Sequence, residues 1–419
     1  METKSEYRIT ELGEIPAEWA VNKINDIAEV QTGGTPLRSN SNFWKNGTIP
    51  WMSSGEVNKK FINQVDEKIT EEGFNNSNTT MLPKGTVMLA MNGQGKTRGT
   101  VAYLKIETTC NQSLAGIIVN KTYNSLFLYY FLEYSYDNLR NINGEGRSGL
   151  NLKLIRDFKV IVPSLYEQQK IAEILSTVDE QIEQTDQLIE KTKELKKGLM
   201  QQLLTKGIGH TEFKHSEIGE IPVEWEVKEL KKVLEKVVGG GTPSRKNSEF
   251  YVGNIPWITV KDMKGHFYQG HSQESINEDA IKKSATNLIE PGNVVIATRM
   301  ALGKGFINTK SIAINQDLKA LYLNQDKVYN PYFLYWYASN AKQIESLGSG
   351  TTVKGIRVEQ LTKLKMPLPP TEEQKKIAEI LSSVDEDIEG YEEEKAKYEE
   401  LKKGLMQQLL TGKTRVKVD

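Results

Sequence analysis

The sequence predicts a mixed α/β (α+β) fold in which two similar globular domains are joined and separated by two long antiparallel coiled-coil helices. Three observations support this fold. The chain repeats itself with a period of 206 residues, its most similar segments have a helical apolar period, and the segments between them have short strand patterns. We therefore expect an internal pseudo-two-fold repeat with these parts: a first domain over 1–165, a central helix over 166–206, a second domain over 207–371, a C-terminal helix over 372–412 and a tail over 413–419.

The repeat is visible in three separate blocks of sequence. GEIPAEWAV from Gly13 returns as GEIPVEWEV from Gly219, and LKKGLMQQLLT from Leu195 returns unchanged from Leu401. EQQKIAEILSTVDEQIE from Glu167 returns as EQKKIAEILSSVDEDIE from Glu373. All three pairs have the same offset, so the whole chain is a duplication.

Each long helix is predicted by apolar residues that step by three, four or seven positions. Neither helix has a partner within its own half of the chain, so the simplest way to bury the two apolar seams is to pack one against the other. We predict that the residues at this helix-pair and partner interface are Ile171, Leu175, Val178, Ile182, Leu195, Leu199, Ile377, Leu381, Val384, Ile388, Leu401 and Leu405.

The segments between the helices have short apolar runs separated by turn residues, which is typical of strands in a mixed or antiparallel sheet. Examples are GTVMLAMN at 85–92 and its relative GNVVIAT at 292–298. Aromatic helices follow at 124–134 and 330–340, and their apolar neighbours favour core packing over base stacking. In the second of these helices we expect Asn330 to be the cap and Pro331 to lie in the first turn.

Composition excludes several classes of protein. The single cysteine, Cys110, excludes an internal disulfide framework, and four histidines without cysteine partners argue against a zinc site. The sequence has no apolar run long enough to cross a membrane and no signal peptide pattern at its start, so we expect a cytoplasmic protein. Residues 1–165 and 213–370 have net charges of +1 and +5, while residues 166–212 and 371–419 have −3 and −4, so a polyanion should bind the domains.

A search for catalytic motifs finds only defective ones. AMNGQGKT at 90–97 satisfies a relaxed phosphate-loop pattern, but a strand-like segment follows it where a phosphate loop needs a helix. Asn330-Pro331-Tyr332-Phe333 resembles an adenine methyltransferase box but lacks the second proline and a glycine-rich cofactor loop. No catalytic residue and no metal ligand is predicted.

Three loops occur in both repeats and carry basic, amide or hydroxyl side chains that suit base edges and phosphates. Glycines in these loops would let the backbone approach a ligand closely, although glycine is as often simple turn chemistry, and solvated loops remain the alternative. The candidate DNA-binding residues are Thr35, Arg38, Asn92, Gln94, Lys96, Arg98, Arg147, Ser148 and Asn151 in the first repeat. In the second repeat they are Thr242, Arg245, Lys246, Arg299, Lys304, Thr351, Thr352, Lys354 and Arg357.

The duplicated layout, the GEIPxEW openings, the PxxxxEQxKIAEIL helix starts at Pro163 and Pro369 and the LKKGLMQQLLT helix ends resemble the specificity subunit of type I restriction-modification systems. The resemblance covers nearly the whole chain. It implies that the two domains are target-recognition domains, that the helices are conserved spacer regions, and that the chain has no catalytic residues of its own.

The resemblance also implies a mechanism and partners. Each domain would read one half of a bipartite, asymmetric double-stranded DNA target, and the helix length would set the distance between the halves. The expected partners are two modification (methyltransferase) subunits, which bind S-adenosylmethionine, and restriction subunits, which use ATP and Mg to translocate and cut. A non-catalytic coiled-coil scaffold that binds protein partners remains the alternative, and an enzyme acting alone is third.

Overall fold

The computed structural model describes residues 6–93, 97–142, 149–265, 267–348 and 355–416. The chain divides into two compact units. The first is built from two separate pieces of sequence and the second from one continuous piece. Unit 1 contains residues 1–186 and 393–419, and unit 2 contains residues 187–392. The boundaries fall within the two long helices, so each unit contains one domain, half of one long helix and half of the other.

Unit 1 is a mixture of short strands and short helices. Its strands are β1 (Tyr7–Thr10), β2 (Gly13–Pro16), β3 (Ala20–Lys23), β4 (Ala28–Thr32), β5 (Ile49–Met52), β6 (Phe61–Ile62), β7 (Glu67–Ile69), β8 (Val87–Ala90), β9 (Val101–Leu104), β10 (Thr109–Cys110), β11 (Leu114–Val119) and β12 (Lys159–Val162). Its short helices are α1 (Ile24–Ile27), α2 (Glu71–Asn75), α3 (Ser125–Tyr134), α4 (Tyr136–Asn141) and α5 (Leu152–Asp157).

A long helix follows each domain, α6 (Leu165–Lys206) after the first and α11 (Thr371–Leu409) after the second. The strands of unit 2 are β13 (Phe213–Ser216), β14 (Gly219–Pro222), β15 (Glu226–Glu229), β16 (Leu234–Gly239), β17 (Ile255–Ile258), β18 (Tyr268–Gln269), β19 (Glu274–Ile276), β20 (Leu288–Ile289), β21 (Val294–Ala297), β22 (Gly305–Asn308), β23 (Ile312–Ile314), β24 (Leu318–Leu323) and β25 (Lys365–Leu368). Its short helices are α7 (Glu278–Lys282), α8 (Asn330–Ser339), α9 (Ala341–Leu347) and α10 (Val358–Leu361).

The main sheet of each unit has five strands in the same order. In unit 1 the order is β4-β11-β8-β9-β6, and in unit 2 it is β16-β24-β21-β22-β18. Only the last pair in each sheet, β6 with β9 and β18 with β22, is parallel. The sequence repeat is therefore also a repeat of topology, which agrees with the predicted α+β fold.

The aromatic helices α3 and α8 pack into the cores of their units, as the sequence predicts. Phe127 and Tyr129 in α3, and Phe333 and Tyr335 in α8, are almost completely buried. The predicted cap of α8 is wrong. Tyr329 is the N-cap, while Asn330 is the first helical residue and its side chain donates to the Gly292 carbonyl oxygen at 2.7 Å.

Asn330 does not cap because its side-chain oxygen accepts a hydrogen bond from Gln325 Nε2 at 3.0 Å. A glutamine at the start of α11 contacts the N-cap residue instead. The side-chain oxygen of Gln374 accepts a hydrogen bond from the Tyr329 backbone N–H at 2.9 Å. In unit 1 the equivalent Gln168 accepts from the backbone N–H of Asn124 at 2.8 Å, and there Asn124 does cap its helix. Both glutamines are fully buried, so they tie the aromatic helix to the start of the long helix.

Halves of the two long helices pair in an antiparallel direction within each unit. In unit 1 an ion pair of 2.9 Å joins Asp179 to Lys402, and a second, of 2.6 Å, joins Asp186 to Lys395. The residue number rises along one helix as it falls along the other, which confirms the antiparallel arrangement. In unit 2 an ion pair of 3.0 Å joins Lys193 to Glu392.

The predicted interface residues differ in burial. Those that are buried are Ile171, Leu175, Val178, Ile377, Leu381 and Val384. Those that are half-buried are Ile182, Leu199, Ile388 and Leu405. Leu195 and Leu401 are 55% and 48% exposed, so they do not belong to the buried seam within the chain.

A polar residue explains the position of Leu401. Next to Leu401, the buried Lys402 contacts Glu133 at 2.7 Å as well as Asp179. Successive residues on a helix point about 100° apart. Because the helix is oriented with Lys402 facing the domain, the neighbouring Leu401 points outward.

We predict that Leu175→Ala lowers the free energy of unfolding of unit 1 by about 2–5 kcal/mol, because Leu175 is fully buried and the smaller side chain leaves a cavity. Leu401→Ala is the matched control in the same unit, and its effect should stay within about 0.5 kcal/mol because the side chain is exposed. Urea denaturation of the full chain measures both. Equal losses for the two variants would contradict this assignment of burial.

Candidate nucleic-acid interface

The predicted loops of unit 1 meet at one edge of its five-stranded sheet. β4 ends at this edge, β8 ends beside it and β11 begins there. The Met91 backbone N–H donates to the Ser113 carbonyl oxygen at 2.9 Å, and the Leu150 N–H donates to the Met91 carbonyl oxygen at 2.8 Å. We call this surface, formed by residues 33–38, 91–93, 97–98, 111–113 and 149–151, the loop edge of unit 1.

Unit 2 builds the same edge from equivalent residues. The Thr298 backbone N–H donates to the Asp317 carbonyl oxygen at 2.8 Å, and the Ile356 N–H donates to the Thr298 carbonyl oxygen at 2.9 Å. The loop edge of unit 2 consists of residues 240–246, 298–304, 315–317 and 355–357. The sequence predicted three separate loops in each repeat, and the structure brings the described parts of all three together.

The glycines that begin both edges are required by close packing of the backbone. An ideal Cβ on Gly33 would lie 1.8 Å from the carbonyl oxygen of Cys110, and one on Gly240 would lie 2.1 Å from that of Ile314. Real Cβ atoms do not approach so closely. Burial also raises the pKa of the Cys110 thiol to about 12, so this cysteine is an inert core residue.

A threonine and a glutamine form the same side-chain hydrogen bond on both edges. The Thr35 hydroxyl donates to Gln112 Oε1 at 2.6 Å, and the Thr242 hydroxyl donates to Gln316 Oε1 at 2.5 Å. Both glutamines are exposed. The threonines are predicted site residues, whereas their glutamine partners were missed.

An arginine in each edge is held by a carboxylate and an aromatic ring. In unit 1 the Arg38 guanidinium donates both ends of its fork to Glu67, at 2.6 and 2.8 Å, and lies 3.7 Å from the centre of the Trp44 ring. These hydrogen bonds lower the pKa of Glu67. Below this arginine, the buried Trp51 indole N–H donates to the Gly34 carbonyl oxygen at 2.9 Å.

The arrangement recurs in unit 2. Arg245 donates to both carboxylate oxygens of Glu274, at 2.5 and 2.7 Å, and lies 4.3 Å from the centre of the Tyr251 ring. The hydrogen bonds from Arg245 lower the pKa of Glu274. The Trp257 indole N–H donates to the Gly241 carbonyl oxygen at 3.1 Å. With their forks occupied in this way, Arg38 and Arg245 hold the glycine loops against the sheet, and DNA contact by either one stays a prediction.

Other predicted residues differ between the two edges although their positions are equivalent. Asn92 is exposed and its side chain packs beside Gly149. Arg299 packs in the same way beside Gly355, is half exposed, and lies 3.6 Å from the Asp317 carboxylate. Three further predicted cations are Lys246 and Lys304, which are exposed, and Arg98, which is half-buried.

Asn151 and Arg357 occupy the N-cap positions of their helices. The Asn151 side-chain oxygen accepts from the Leu154 backbone N–H at 3.0 Å and caps α5. Arg357 precedes α10, and its backbone N–H donates to the Gln360 side-chain oxygen at 3.2 Å. The sequence analysis assigned both residues to DNA contact and did not identify these capping positions.

The other predicted DNA-binding residues lie outside the described residues. They are Gln94, Lys96, Arg147, Ser148, Thr351, Thr352 and Lys354. Glu67, Glu274, Gln112 and Gln316 were missed because each was judged on its own. Comparing polar residues at equivalent places in the two repeats would have found them.

Comparison with known proteins identifies the family of the chain that carries these two edges. The family model described as the type I restriction modification DNA specificity domain matches residues 16–194 and again residues 222–401. The chain belongs to this family. It is a specificity subunit of the type I restriction-modification kind, and its role is recognition of DNA.

Relatives of the specificity subunit extend over nearly its whole length. It is 31% identical to the MjaX type I restriction enzyme specificity subunit of Methanocaldococcus jannaschii, over 98% of this chain and 97% of the relative. It is 29% identical to the MjaVIII specificity subunit of the same organism, over 96% and 94%. Such subunits are named for recognition and not for catalysis.

Solved structures support the fold. The S subunit of a type I restriction-modification system from M. genitalium has a TM-score of 0.61 at 15% identity, and the match covers 96% of this chain and 97% of that one. A structure from work on complex assembly and conformational transition of the type I system has a TM-score of 0.58 at 16% identity, with 96% and 99% covered. Within the described ranges, no helix is long and apolar enough to span a membrane.

We predict that Gly33→Ala weakens binding of cognate DNA by at least about tenfold and lowers the free energy of unfolding by about 1–3 kcal/mol, because the new methyl group displaces the glycine loop. Gly55→Ala is the control, since a Cβ there meets no atom within 4 Å. Fluorescence anisotropy with the assembled complex measures binding, and urea denaturation measures stability. Unchanged values for Gly33→Ala would show that the close packing is not needed.

Proposed function

We propose that each loop edge of this specificity subunit reads one half of a bipartite, asymmetric double-stranded DNA target. One observation supports this most strongly. The two edges share a backbone framework, with the same hydrogen bonds at equivalent places, yet differ at exposed positions such as Asn92 and Arg299. A common framework with different side chains suits two related domains that bind different base sequences.

The chemistry of the differing residues suits direct readout in the major groove. Asparagine pairs well with the N6 and N7 atoms of adenine, and arginine pairs well with O6 and N7 of guanine. Asn92 and Arg299 are equivalent residues with these two side chains. Their difference supports an asymmetric target. The net positive charge of residues 213–370, +5, favours the approach of the second domain to phosphates.

We propose that modification subunits dock on the exposed apolar residues of the long helices. Ile174 and Leu401 are exposed in unit 1, and their repeat equivalents Ile380 and Leu195 are exposed in unit 2. Exposed apolar side chains at matching places in both units suit two copies of one partner. This proposal accounts for Leu195 and Leu401, which the buried seam does not use.

The cofactors of the complex belong to its partners in this proposal. S-adenosylmethionine is bound by the modification subunits, and ATP and Mg are bound by the restriction subunits. Methyl transfer to adenine requires the base to leave the stack and enter the pocket of the modification subunit. The specificity subunit supplies the position on DNA at which this happens.

We predict that Arg299→Ala weakens binding of the cognate duplex by about 1–3 kcal/mol and relaxes the base preference at one position of the second half-site, because a bidentate contact is lost. Methylome sequencing of cells that express the variant with its modification subunit gives the new target. Anisotropy gives the affinity.

Lys231→Ala is the matched control for Arg299→Ala. Lys231 is an exposed cation just before β16, at the opposite end of the sheet from the loop edge. It should leave both half-sites unchanged. If Arg299→Ala also left the target and the affinity unchanged, Arg299 would not contact a base. If the wild-type complex had no split methylation target, a protein scaffold would be the better explanation of the chain.

We predict that Leu401→Glu and Leu195→Glu each remove one modification subunit from the complex, because a charge replaces an exposed apolar contact. The double variant should remove both. Gln407→Glu, on an exposed face of α11, is the control and should assemble normally. Light scattering of the purified complexes gives the stoichiometry, and normal assembly of the double variant would rule out this docking surface.

A further inference from the structure

Gln112 and Gln316 form a feature that both loop edges keep in full. Each glutamine is exposed and each receives a hydrogen bond from a threonine of the glycine loop, Thr35 at 2.6 Å or Thr242 at 2.5 Å. An exposed hydrogen bond between neutral side chains adds little stability. Its presence in both repeats therefore needs another explanation.

The hydrogen bond fixes the orientation of the carboxamide. Because the threonine hydroxyl donates to Oε1, the two N–H groups on Nε2 point away from the threonine. Neither Nε2 donates to any residue in the ranges that the structure describes. Each edge thus presents an oriented pair of donors without an acceptor in the described protein.

The repeat separates the residues of the edges into two groups. Asn92 differs from Arg299, and Asn151 differs from Arg357, as residues that read two different half-sites must. Gln112 and Gln316 are the same. Residues that are identical in both domains suit the part of DNA that is identical in both half-sites, which is the sugar-phosphate backbone.

We propose that the Nε2 groups of Gln112 and Gln316 each donate to a backbone phosphate, at the same position relative to each half-site. This inference rests on the proposed function of the loop edges. The contact fixes the register of each domain on the duplex and carries no base preference. The neighbouring Arg38 and Arg245 are neutralised by their glutamates, so the contact at this place is made by neutral donors.

The first experiment measures affinity and base preference together. Gln112→Ala is assembled with the modification subunits and tested on the cognate duplex and on duplexes with each recognised base pair replaced in turn. We expect a loss of about five- to tenfold that is the same for every duplex, as for one lost hydrogen bond. The dependence of affinity on salt should not change, because no charge is removed.

Gln112→Glu is the second variant, with nearly the same shape but a carboxylate in place of the donors. It should bind more weakly than Gln112→Ala on every duplex, because the carboxylate repels phosphate. Gln64→Ala is the matched control. Gln64 is exposed and follows β6, whose pairing with Leu104 places it at the end of the sheet opposite the loop edge. The Gln64→Ala complex should bind DNA with the affinity of the wild type.

The second experiment locates the phosphate. Neutral methylphosphonates replace the phosphates of the cognate duplex one at a time. At one position in each half-site, the methylphosphonate should weaken binding of the wild-type complex. At that position in the first half-site it should not weaken binding of Gln112→Ala any further, and the same should hold for Gln316→Ala in the second half-site.

The outcomes are distinct. A changed preference at a single base pair would mean that the glutamine reads a base, and an unchanged affinity would mean that it is only solvated; either result overturns the inference. A wild-type complex without any base preference would instead overturn the proposed function itself.

Discussion

The buried glutamine at the start of each long helix is the contact on which the arrangement of each unit depends. Gln168 donates to the Pro163 carbonyl oxygen at 2.9 Å and accepts from the Asn124 backbone, so one side chain joins the end of the domain, the aromatic helix and the long helix. Gln374 does the same in unit 2. A buried carboxamide that lost these partners would leave unpaired polar atoms in the core, so the direction in which the long helix leaves the domain is fixed.

From this anchor the rest of each unit follows. The long helix covers the core that contains the aromatic helix, and this helix in turn packs against the five-stranded sheet. The loop edge lies at one end of that sheet, where strand ends hold the loops by backbone hydrogen bonds. The proposed recognition surface thus lies on loops with rigid attachments, where side chains can change without disturbing the core.

Much of this architecture could be predicted from sequence because duplication and helical periodicity are strong patterns. The α+β class, the repeat, the two long helices and the buried aromatic helices were predicted. The hydrogen-bonding partners of the site residues could not be predicted. The residues that hold Arg38 and Thr35 are distant from them in sequence and come together only in the folded domain. Periodicity also predicted, wrongly, that Leu195 and Leu401 belong to the buried seam. Apolar spacing alone does not reveal that Lys402, beside Leu401, is buried in place of the leucine. The N-cap of α8 was also missed, because the Asn330 side chain is held by Gln325 and by the distant Gly292.

The division of the two long helices between the units has a consequence for synthesis on the ribosome. The core of unit 1 includes Met406, Leu409 and Leu410, which are made more than two hundred residues after the rest of that core. Unit 2, in contrast, is continuous in sequence. The N-terminal domain therefore emerges first but waits with an uncovered apolar surface, while unit 2 can complete its fold, and the last segment of the chain closes the first unit.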